Sequence, residues 1–248
     1  MMLIRYISQI GKYFIMWREI FKKPTKWSVM KVLIYKEIDD LIIGSLGIVA
    51  FISFFVGGVV AIQTALNLTN PLIPKYLIGF ATRQSVILEF APTFLCIVLA
   101  GVVGSKIASE LGNMRVSEQI DALEIMGINT KNYLILPKIL GAITTVPMLV
   151  GISAVTGIWG GYLVGSWTSV VPAEVFITGI RKDFVVYYIN ISFYKSFIFA
   201  IIISTVPSFY GYYVKGGALE IGKSGTKSVV VSCILILIAD YIIAAIAL

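Results

Sequence analysis

Two side chains that build many catalytic and metal sites are scarce in this chain. Its 248 residues include no histidine and only two cysteines, Cys96 and Cys233, each within an apolar stretch. Protein zinc sites use mainly histidine and cysteine ligands, and Ser–His–Asp and Cys–His enzymes need histidine as their base. A lone cysteine in an apolar stretch packs as a small hydrophobic side chain. We therefore predict no metal site, no catalytic residues and no cofactor on this chain.

Charged residues are also scarce. They make up 13% of the chain, whereas hydrophobic residues make up 58%, and the mean hydropathy is +0.93. A soluble domain of this length does not need so much apolar surface, so the composition indicates an integral membrane protein. The net charge of +7 would suit nucleic acid, but the basic residues lie between apolar runs rather than in one cluster. We therefore predict no nucleic-acid partner.

Five long apolar segments follow residue 40, and each is close to the ~20 residues that a helix needs to cross a membrane. They are approximately Leu41–Leu66, Val86–Ala108, Ile139–Val164, Ser196–Val214 and Ser228–Leu248. The third is surrounded by further apolar residues, but that stretch is too short for two crossings and a polar turn. We predict an all-α membrane domain over residues 41–248, with bends in the third and fourth spans at Pro147 and Pro207.

Residues 1–40 have a different pattern. Apolar residues alternate with lysine and arginine from Leu3 to Phe21, which predicts a basic amphipathic helix lying in the headgroup region of a membrane. Pro24 is expected to end this helix, and a second helical piece is expected from Trp27. We treat residues 1–40 as an interfacial region that precedes the membrane domain.

The distribution of basic residues predicts the orientation. With the N-terminus in the cytoplasm, fifteen of the twenty Lys and Arg residues fall in predicted cytoplasmic stretches, as the positive-inside rule requires. The C-terminus is then outside. The exterior stretches, residues 67–85 and 166–195, are long enough to meet an extracytoplasmic partner, and a short interfacial helix is expected at Ala173–Ile180.

A polar stretch separates the second and third apolar segments. Within it, apolar residues recur mostly every three or four positions over about residues 109–127, which predicts an amphipathic helix outside the bilayer. Ser117 could cap a second start at Glu118, and Gly127 suits the left-handed conformation after a helix end. Pro137 is expected in the first turn of the next helix. The amphipathic helix could be an ordinary surface helix, or it could receive a push from a soluble partner.

Resemblance to a known family favours the second interpretation. It is carried by two segments, AGVVGSKIASELGNMRVSEQIDALEIMGI from Ala100 and GIWGGYLVG from Gly157. These resemble the MlaE-type permease family, the membrane subunit of lipid-transporting ABC systems that work with MCE-domain proteins. The similarity extends from about Leu41 to the C-terminus and is densest over Glu89–Gly165.

The resemblance implies an assembly in a bacterial inner membrane. It implies a homodimer with its first and last spans at the interface, two copies of a cytoplasmic ATPase that bind ATP and Mg²⁺, and an extracytoplasmic MCE-domain oligomer. Membrane phospholipid is the implied substrate. The polar helix is then the coupling helix that docks on the ATPase, and its candidate coupling residues are Glu110, Arg115, Glu118, Asp121, Glu124 and Gly127.

Two acids lie in apolar surroundings, Glu89 in the second segment and Asp240 in the last. A charge at membrane depth costs roughly 2.5 to 3.5 kcal/mol on insertion scales, so each acid is a candidate for function. Glu89 could contact a lipid headgroup, reach the membrane surface or hold a lysine such as Lys75. Asp240 could pair with a lysine or with a second copy of the chain, and we assign it to helix packing.

We predict that lipid binds in a dimer cavity near the outer leaflet, where apolar walls hold acyl chains and a few polar groups hold the headgroup. The predicted lipid-binding residues are Phe54, Phe55, Val59, Ile62, Gln63, Glu89 and Pro92. Members of the family commonly carry arginine before the glutamate and again in the AG motif. This chain has Leu88 and Val102 at those positions, so we assign neither a phosphate contact.

The sequence contains two further motifs, a glycine ladder and a match to a phosphate-binding loop. Gly157, Gly161 and Gly165 form a small-residue ladder that permits close helix packing, within one chain or between two. The stretch GALEIGKS from Gly217 matches a phosphate-binding loop, but such a loop lies between a β-strand and a helix of a nucleotide-binding domain. The chain has no room for that domain, so we interpret the stretch as a flexible cytoplasmic turn.

The sequence leaves one main alternative to a lipid permease driven by a separate ATPase. Glu89 and Asp240 would also suit an ion- or proton-coupled secondary transporter or channel. That function leaves the polar helix unexplained, and five spans do not divide into two equal halves. An intramembrane lipid enzyme is less favoured still, because no catalytic constellation can be assembled without histidine.

Overall fold

A computed structural model describes residues 2–22, 26–68, 72–168 and 171–247. These residues form helices and no β-strand. The α-helices are α1 Met2–Ile20, α2 Trp27–Asn67, α3 Tyr76–Ser85, α4 Leu95–Leu99, α5 Ser105–Val116, α6 Gln119–Ile125, α7 Thr130–Trp167, α8 Ala173–Arg181, α9 Val186–Tyr212 and α10 Ala218–Ala247. Two π-helical stretches, π1 Val86–Phe94 and π2 Ala100–Gly104, lie within the run from α3 to α5.

Within the described residues, five helical runs are long and apolar enough to cross a membrane. They are α2, the run from α3 to α5 at Tyr76–Val116, α7, α9 and α10. The prediction of an all-α protein with five spanning helices is therefore confirmed. The helices have 27 to 41 residues and exceed the apolar segments in length, because polar residues flanking each segment continue the same helix.

Helix α7 is a single helix of 38 residues, as predicted for the third segment. The prediction for Pro137 was wrong, because α7 begins at Thr130 and Pro137 lies in its interior. Asn129 explains the early start, since its side-chain oxygen accepts the backbone N–H of Asn132 at 3.3 Å, the hydrogen bond of a helix cap.

The polar stretch forms two helices, α5 and α6, rather than one. Glu118 separates them with a left-handed backbone (φ 60°) and no capping hydrogen bond from its side chain. The predicted cap at Ser117 was wrong, because its hydroxyl donates backwards to the Asn113 carbonyl at 2.7 Å. Gly127 does adopt the left-handed conformation predicted for it, with φ 77°.

At the N-terminus, α2 begins at Trp27 as predicted and continues without a break into the first spanning segment. Pro24, which was predicted to end the first helix, lies outside the described residues. Helix α1 buries Met16 and Ile20 completely, while Ile10 and Phe14 are more than half exposed. One face of α1 therefore packs on protein and another presents apolar side chains outward.

The chain divides into two compact units. The first comprises Met1–Leu41, Leu99–Thr145 and Ala200–Leu235, and the second comprises Ile42–Val98, Val146–Phe199 and Ile236–Leu248. In the first unit, the Tyr13 hydroxyl of α1 lies 2.7 Å from the Thr205 hydroxyl of α9. In the second, Ala61, Ile78, Val171 and Phe176 form a small apolar core.

Candidate functional site

The second unit contains a buried lysine between two acids. Lys195 of α9 is completely buried, and its ammonium nitrogen lies 2.9 Å from Glu89 of π1 and 2.7 Å from Asp240 of α10. The Thr93 hydroxyl donates to Asp240 at 2.8 Å. We call Glu89, Thr93, Lys195 and Asp240 the intramembrane charge cluster. It lies in three of the five candidate spanning runs.

A backbone feature of π1 supplies the third partner of Lys195. The Lys195 ammonium donates to the Leu88 carbonyl at 3.1 Å. In an α-helix that carbonyl would accept the N–H four residues on, but residue 92 is proline and has none. Pro92 is itself buried. Pro92 thus removes the α-helical donor to the carbonyl that accepts from Lys195.

The charges in this cluster do not balance. An ammonium group has three N–H donors, and those of Lys195 are directed to Glu89, Asp240 and the Leu88 carbonyl. Two carboxylates therefore share one cation. The Asp240 side chain is only 16% exposed, whereas that of Glu89 is 44% exposed. Glu89 is the member whose oxygens can still accept a hydrogen bond from outside the cluster.

Sequence reasoning found the two acids but missed the lysine between them. It placed Lys195 in an exterior stretch, whereas α9 already begins at Val186. The suggested partner of Glu89, Lys75, is replaced by Lys195. The sequence does contain a signal for Lys195, because Ile191, Lys195 and Phe199 recur at four-residue steps and so share one face of a helix. In the structure all three are buried. A lysine in a buried helical stripe needs acids nearby.

The other predicted lipid-binding residues divide between two faces of α2. Phe55 and Val59 are 52% and 60% exposed, and Gln63 on the same face is also exposed, with Ile62 partly buried beside it. Phe54 instead packs against Trp159 of α7, with ring centroids 5.7 Å apart. The outward face of α2 around Phe55, Val59 and Gln63 is therefore apolar with one amide.

Helices α2 and α7 approach each other closely through glycines of the same chain. A Cβ atom on Gly160 would lie 2.0 Å from the Phe54 carbonyl oxygen, and one on Gly57 would lie 1.8 Å from the Gly157 oxygen. Gly161 is also near, since its Cβ would lie 3.1 Å from the Gly57 oxygen, but at Gly165 no atom lies within 4 Å. Gly165 therefore contributes no such contact within the described chain.

The Ser53 and Ser153 hydroxyls join the same two helices at 2.7 Å. With the glycines, they fix the position of the helix that carries Phe55 and Val59.

Most of the predicted coupling residues have partners within the first unit. Glu110 lies 2.7 Å from Lys138, which also pairs with Glu37 at 2.7 Å. Arg115 pairs with Asp121 at 2.6 Å. These contacts tie α5 to α7 and brace the break between α5 and α6.

The end of α6 is held in a similar way. Glu124 accepts a hydrogen bond from the Tyr212 hydroxyl at 2.8 Å and another from Thr130 at 3.1 Å. Ile120 is completely buried, whereas Ile125 is 88% and Met126 65% exposed. The α5–α6 segment is thus anchored from within and presents two apolar side chains outward, a feature that sequence reasoning did not single out.

Another buried cation organises the loop after α8. Helix α8 itself forms close to its predicted position, at Ala173–Arg181. Arg83 of α3 is 2% exposed, and its guanidinium donates to the carbonyls of Ile180, Lys182 and Asp183 at 2.6 to 3.2 Å. Lys182 donates to the Tyr76 hydroxyl at 2.8 Å, and this hydrogen bond raises the pKa of Lys182. The contacts fasten the segment that leads into α9.

The GALEIGKS stretch is not the turn that we predicted. Helix α10 begins at Ala218, so all but the first residue of the motif is helical. Lys223 pairs with Glu220 at 2.6 Å, and the Ser224 hydroxyl donates to the Tyr210 carbonyl. A phosphate-binding loop needs free backbone N–H groups around the anion, and a helix commits most of them to its own carbonyls.

Comparison with known proteins decides the family. The sequence model described as "Permease MlaE" matches residues 34–246. The chain belongs to the MlaE permease family. The resemblance seen in the sequence is thereby confirmed.

Three relatives illustrate the range of similarity. A "Probable ABC transporter permease protein" of Rickettsia bellii is 35% identical over 97% of this chain and 92% of its own length. The "Intermembrane phospholipid transport system permease protein MlaE" of Haemophilus influenzae is 26% identical over 99% of this chain and 98% of its own. The chloroplastic "Protein TRIGALACTOSYLDIACYLGLYCEROL 1" of Arabidopsis thaliana is 31% identical over 80% of this chain and 57% of its own.

Proposed function

We propose that this MlaE-family chain is the permease subunit of an ABC-type transporter that passes phospholipid between the membrane and an extracytoplasmic MCE-domain protein. A separate ATPase subunit, which binds ATP and Mg²⁺, supplies the energy. The observation that carries the proposal is the intramembrane charge cluster, with its half-exposed Glu89 in a chain of this family. Such a site suits a ligand with a polar headgroup and apolar tails.

The chemistry of the cluster favours a headgroup that donates hydrogen bonds. Lys195 is buried and its donors are occupied, so it has no donor free for a phosphate. Glu89 keeps acceptor capacity, and an ammonium group such as that of phosphatidylethanolamine would match it. The exposed face of α2 at Phe55 and Val59 provides apolar contact for acyl chains, with Gln63 as a second polar group.

The α5–α6 segment is the proposed docking site for the ATPase. Exposed Ile125 and Met126 provide apolar contacts, and Glu118, in the break between the helices, provides charge. Internal ion pairs hold the segment to the rest of its unit, so that a displacement of α6 by the ATPase would be transmitted to the spanning helices. In a homodimer with one such segment per chain, two ATPase copies would bind.

The charge distribution and the family support a proposed orientation and location. We place the N-terminus and the α5–α6 segment in the cytoplasm of a bacterium, the five spans in its inner membrane and the C-terminus in the periplasm. Helix α1 would then lie in the cytoplasmic headgroup region with Ile10 and Phe14 facing lipid. The outer stretches would face the MCE-domain protein.

The direct test is lipid exchange by proteoliposomes that contain the full chain, its cognate ATPase and its MCE-domain partner. Exchange of fluorescent phosphatidylethanolamine should require ATP and should fall at least tenfold in Val59→Glu, because a charge at membrane depth costs roughly 2.5 to 3.5 kcal/mol. Ile43→Glu is the matched control, since Ile43 is 74% exposed on the same helix.

The same assay distinguishes the alternative function. A charge cluster buried in spanning helices also fits ion- or proton-coupled transport. Exchange or ion flux that continues without the ATPase and collapses when a proton or sodium gradient is dissipated would favour that alternative.

A further inference from the structure

A groove between α1, α9 and α10 in the first unit is not used by the proposed transport path. It encloses about 460 Å³, a size within the range of sites for small ligands. Its walls are mainly apolar and include Ile10, Tyr13, Val206, Phe209, Val230 and Leu235. We call it the α1–α10 groove.

One end of the groove is strongly basic. A second cavity of about 520 Å³ shares Gln9, Phe209, Tyr210 and Lys227 with the groove, so the two are adjacent. Lys12, Lys215, Lys223 and Lys227 line this second cavity, and Glu220 is the acid among them. Glu220 pairs with Lys223, which leaves an excess of three positive charges.

The two parts together have the chemistry of an amphiphile site. We propose that the α1–α10 groove binds an anionic phospholipid, whose acyl chain lies along the apolar walls and whose phosphate lies among the lysines. Four lysines near one cavity attract an anionic headgroup, and each basic residue near a membrane surface strengthens such binding roughly fivefold. A zwitterionic lipid gains little from them, so the site selects for net negative charge.

Lys223, the lysine of the GALEIGKS motif, lines the second cavity and would contact the lipid phosphate. Lys223 and Lys227 are four residues apart on α10 and lie on one face of the helix. Lys227 also lies over the Tyr210 ring, 5.5 Å from its centroid. The site would join the N-terminal helix to α10 through a lipid. It is distinct from the Glu89 cluster, which has an excess of negative charge.

The test measures lipid retention by the purified full-length chain with native mass spectrometry, using dioleoyl phosphatidylglycerol and dioleoyl phosphatidylcholine. The triple variant Lys12→Gln, Lys223→Gln, Lys227→Gln should bind phosphatidylglycerol about a hundredfold more weakly, roughly fivefold for each lysine removed, and should bind phosphatidylcholine unchanged. The matched triple variant Lys22→Gln, Lys26→Gln, Lys31→Gln removes the same charge from exposed lysines outside the groove and should retain both lipids as the wild type does.

A second pair of variants tests the apolar part. Val230→Trp should fill the groove and abolish tight retention of phosphatidylglycerol, whereas Ile238→Trp should not, since both side chains are about half exposed but only Val230 lines the groove. Equal losses in the two lysine triples would overturn the proposal in favour of general attraction to anionic lipid. Unchanged retention in Val230→Trp with a loss of dimer would also overturn it, because a second copy of the chain would then occupy the groove.

Discussion

In the part of the chain that the structure describes, two buried lysines each contact two carboxylates. Lys138 lies 2.7 Å from both Glu37 and Glu110, and Lys195 lies 2.9 and 2.7 Å from Glu89 and Asp240. In each cluster one carboxylate is sheltered and the other is nearly half exposed, at 47% for Glu110 and 44% for Glu89. Distances and burial alone do not distinguish the two clusters.

The surroundings of the two lysines distinguish the clusters. The sequence after Glu37 is polar, with Asp39 and Asp40, and Asp40 lies 4.0 Å from Lys106. Lys138 itself lies beside the buried Ile135 and Ile139. Water and neighbouring charges can compensate such a cluster. Lys195 is flanked on its helix face by Ile191 and Phe199, both buried. A charge kept in apolar surroundings is a functional candidate because its burial costs free energy. We therefore assign the first cluster to structure and the second to lipid contact.

The largest expected effect comes from removing Lys195. Lys195→Ala leaves Glu89 and Asp240 facing each other without their cation, and breaking a buried ion pair typically costs 3–5 kcal/mol. We expect a large fall in the unfolding midpoint in detergent. The triple variant Lys195→Met, Glu89→Gln, Asp240→Asn should recover most of the stability without transport. An unchanged midpoint in Lys195→Ala would show that the cluster is not desolvated.

Packing between α2 and α7 gives the next largest effect. Gly160→Ala should lower the unfolding free energy by about 1–3 kcal/mol, because its Cβ would lie 2.0 Å from the Phe54 carbonyl oxygen. Gly165→Ala is the control, since no atom lies within 4 Å of its Cβ, and it should be neutral or slightly stabilising. Similar midpoints for the two variants would contradict the close approach.

Removing Lys138 should cost less than removing Lys195. In Lys138→Ala, the half-exposed Glu110 can turn to water, so we expect a loss in the same unfolding assay that is smaller than the ~3–5 kcal/mol typical of a broken buried pair. Adding Glu110→Gln to Lys138→Ala should restore part of the lost unfolding free energy. If Lys138→Ala were as damaging as Lys195→Ala, the distinction between a hydrated and a desolvated cluster would fail.

The smallest effect on stability is expected at α6. Ile125→Ser changes a side chain that is 88% exposed and should move the unfolding free energy by less than about 0.5 kcal/mol. It should nevertheless weaken binding of the ATPase subunit measurably by biolayer interferometry. Thr178→Ala, an exposed change on α8, is the control. Wild-type ATPase affinity in Ile125→Ser would exclude α6 from the docking site.

The sequence was sufficient for the features that depend on long runs of residues. The five apolar runs predicted five candidate spanning helices, and the third run with its apolar flanks predicted the single helix α7. Helix starts were less predictable because they depend on individual side chains. Asn129 caps α7 ahead of Pro137, and Ser117 bonds backwards instead of capping α6.

The candidate site was only half predictable for a related reason. Glu89 and Asp240 are conspicuous because they interrupt apolar runs, whereas Lys195 lies near the start of its run and was taken for a flanking charge. Which acids surround Lys195 depends on three helices that are far apart in the sequence. No local pattern around any one of them contains that information.

The most direct measurement of the central claim compares the half-exposed carboxylates of the two clusters. Glu89→Gln and Glu110→Gln are the same chemical change, and each should leave the unfolding midpoint nearly unchanged. The readout is capture of photoactivatable phosphatidylethanolamine by the purified chain in nanodiscs. Glu89→Gln should reduce capture about tenfold, the scale of one lost hydrogen bond to a charged group, and Glu110→Gln should not reduce it. Equal capture by both variants would contradict the assignment of the Glu89 cluster to lipid contact.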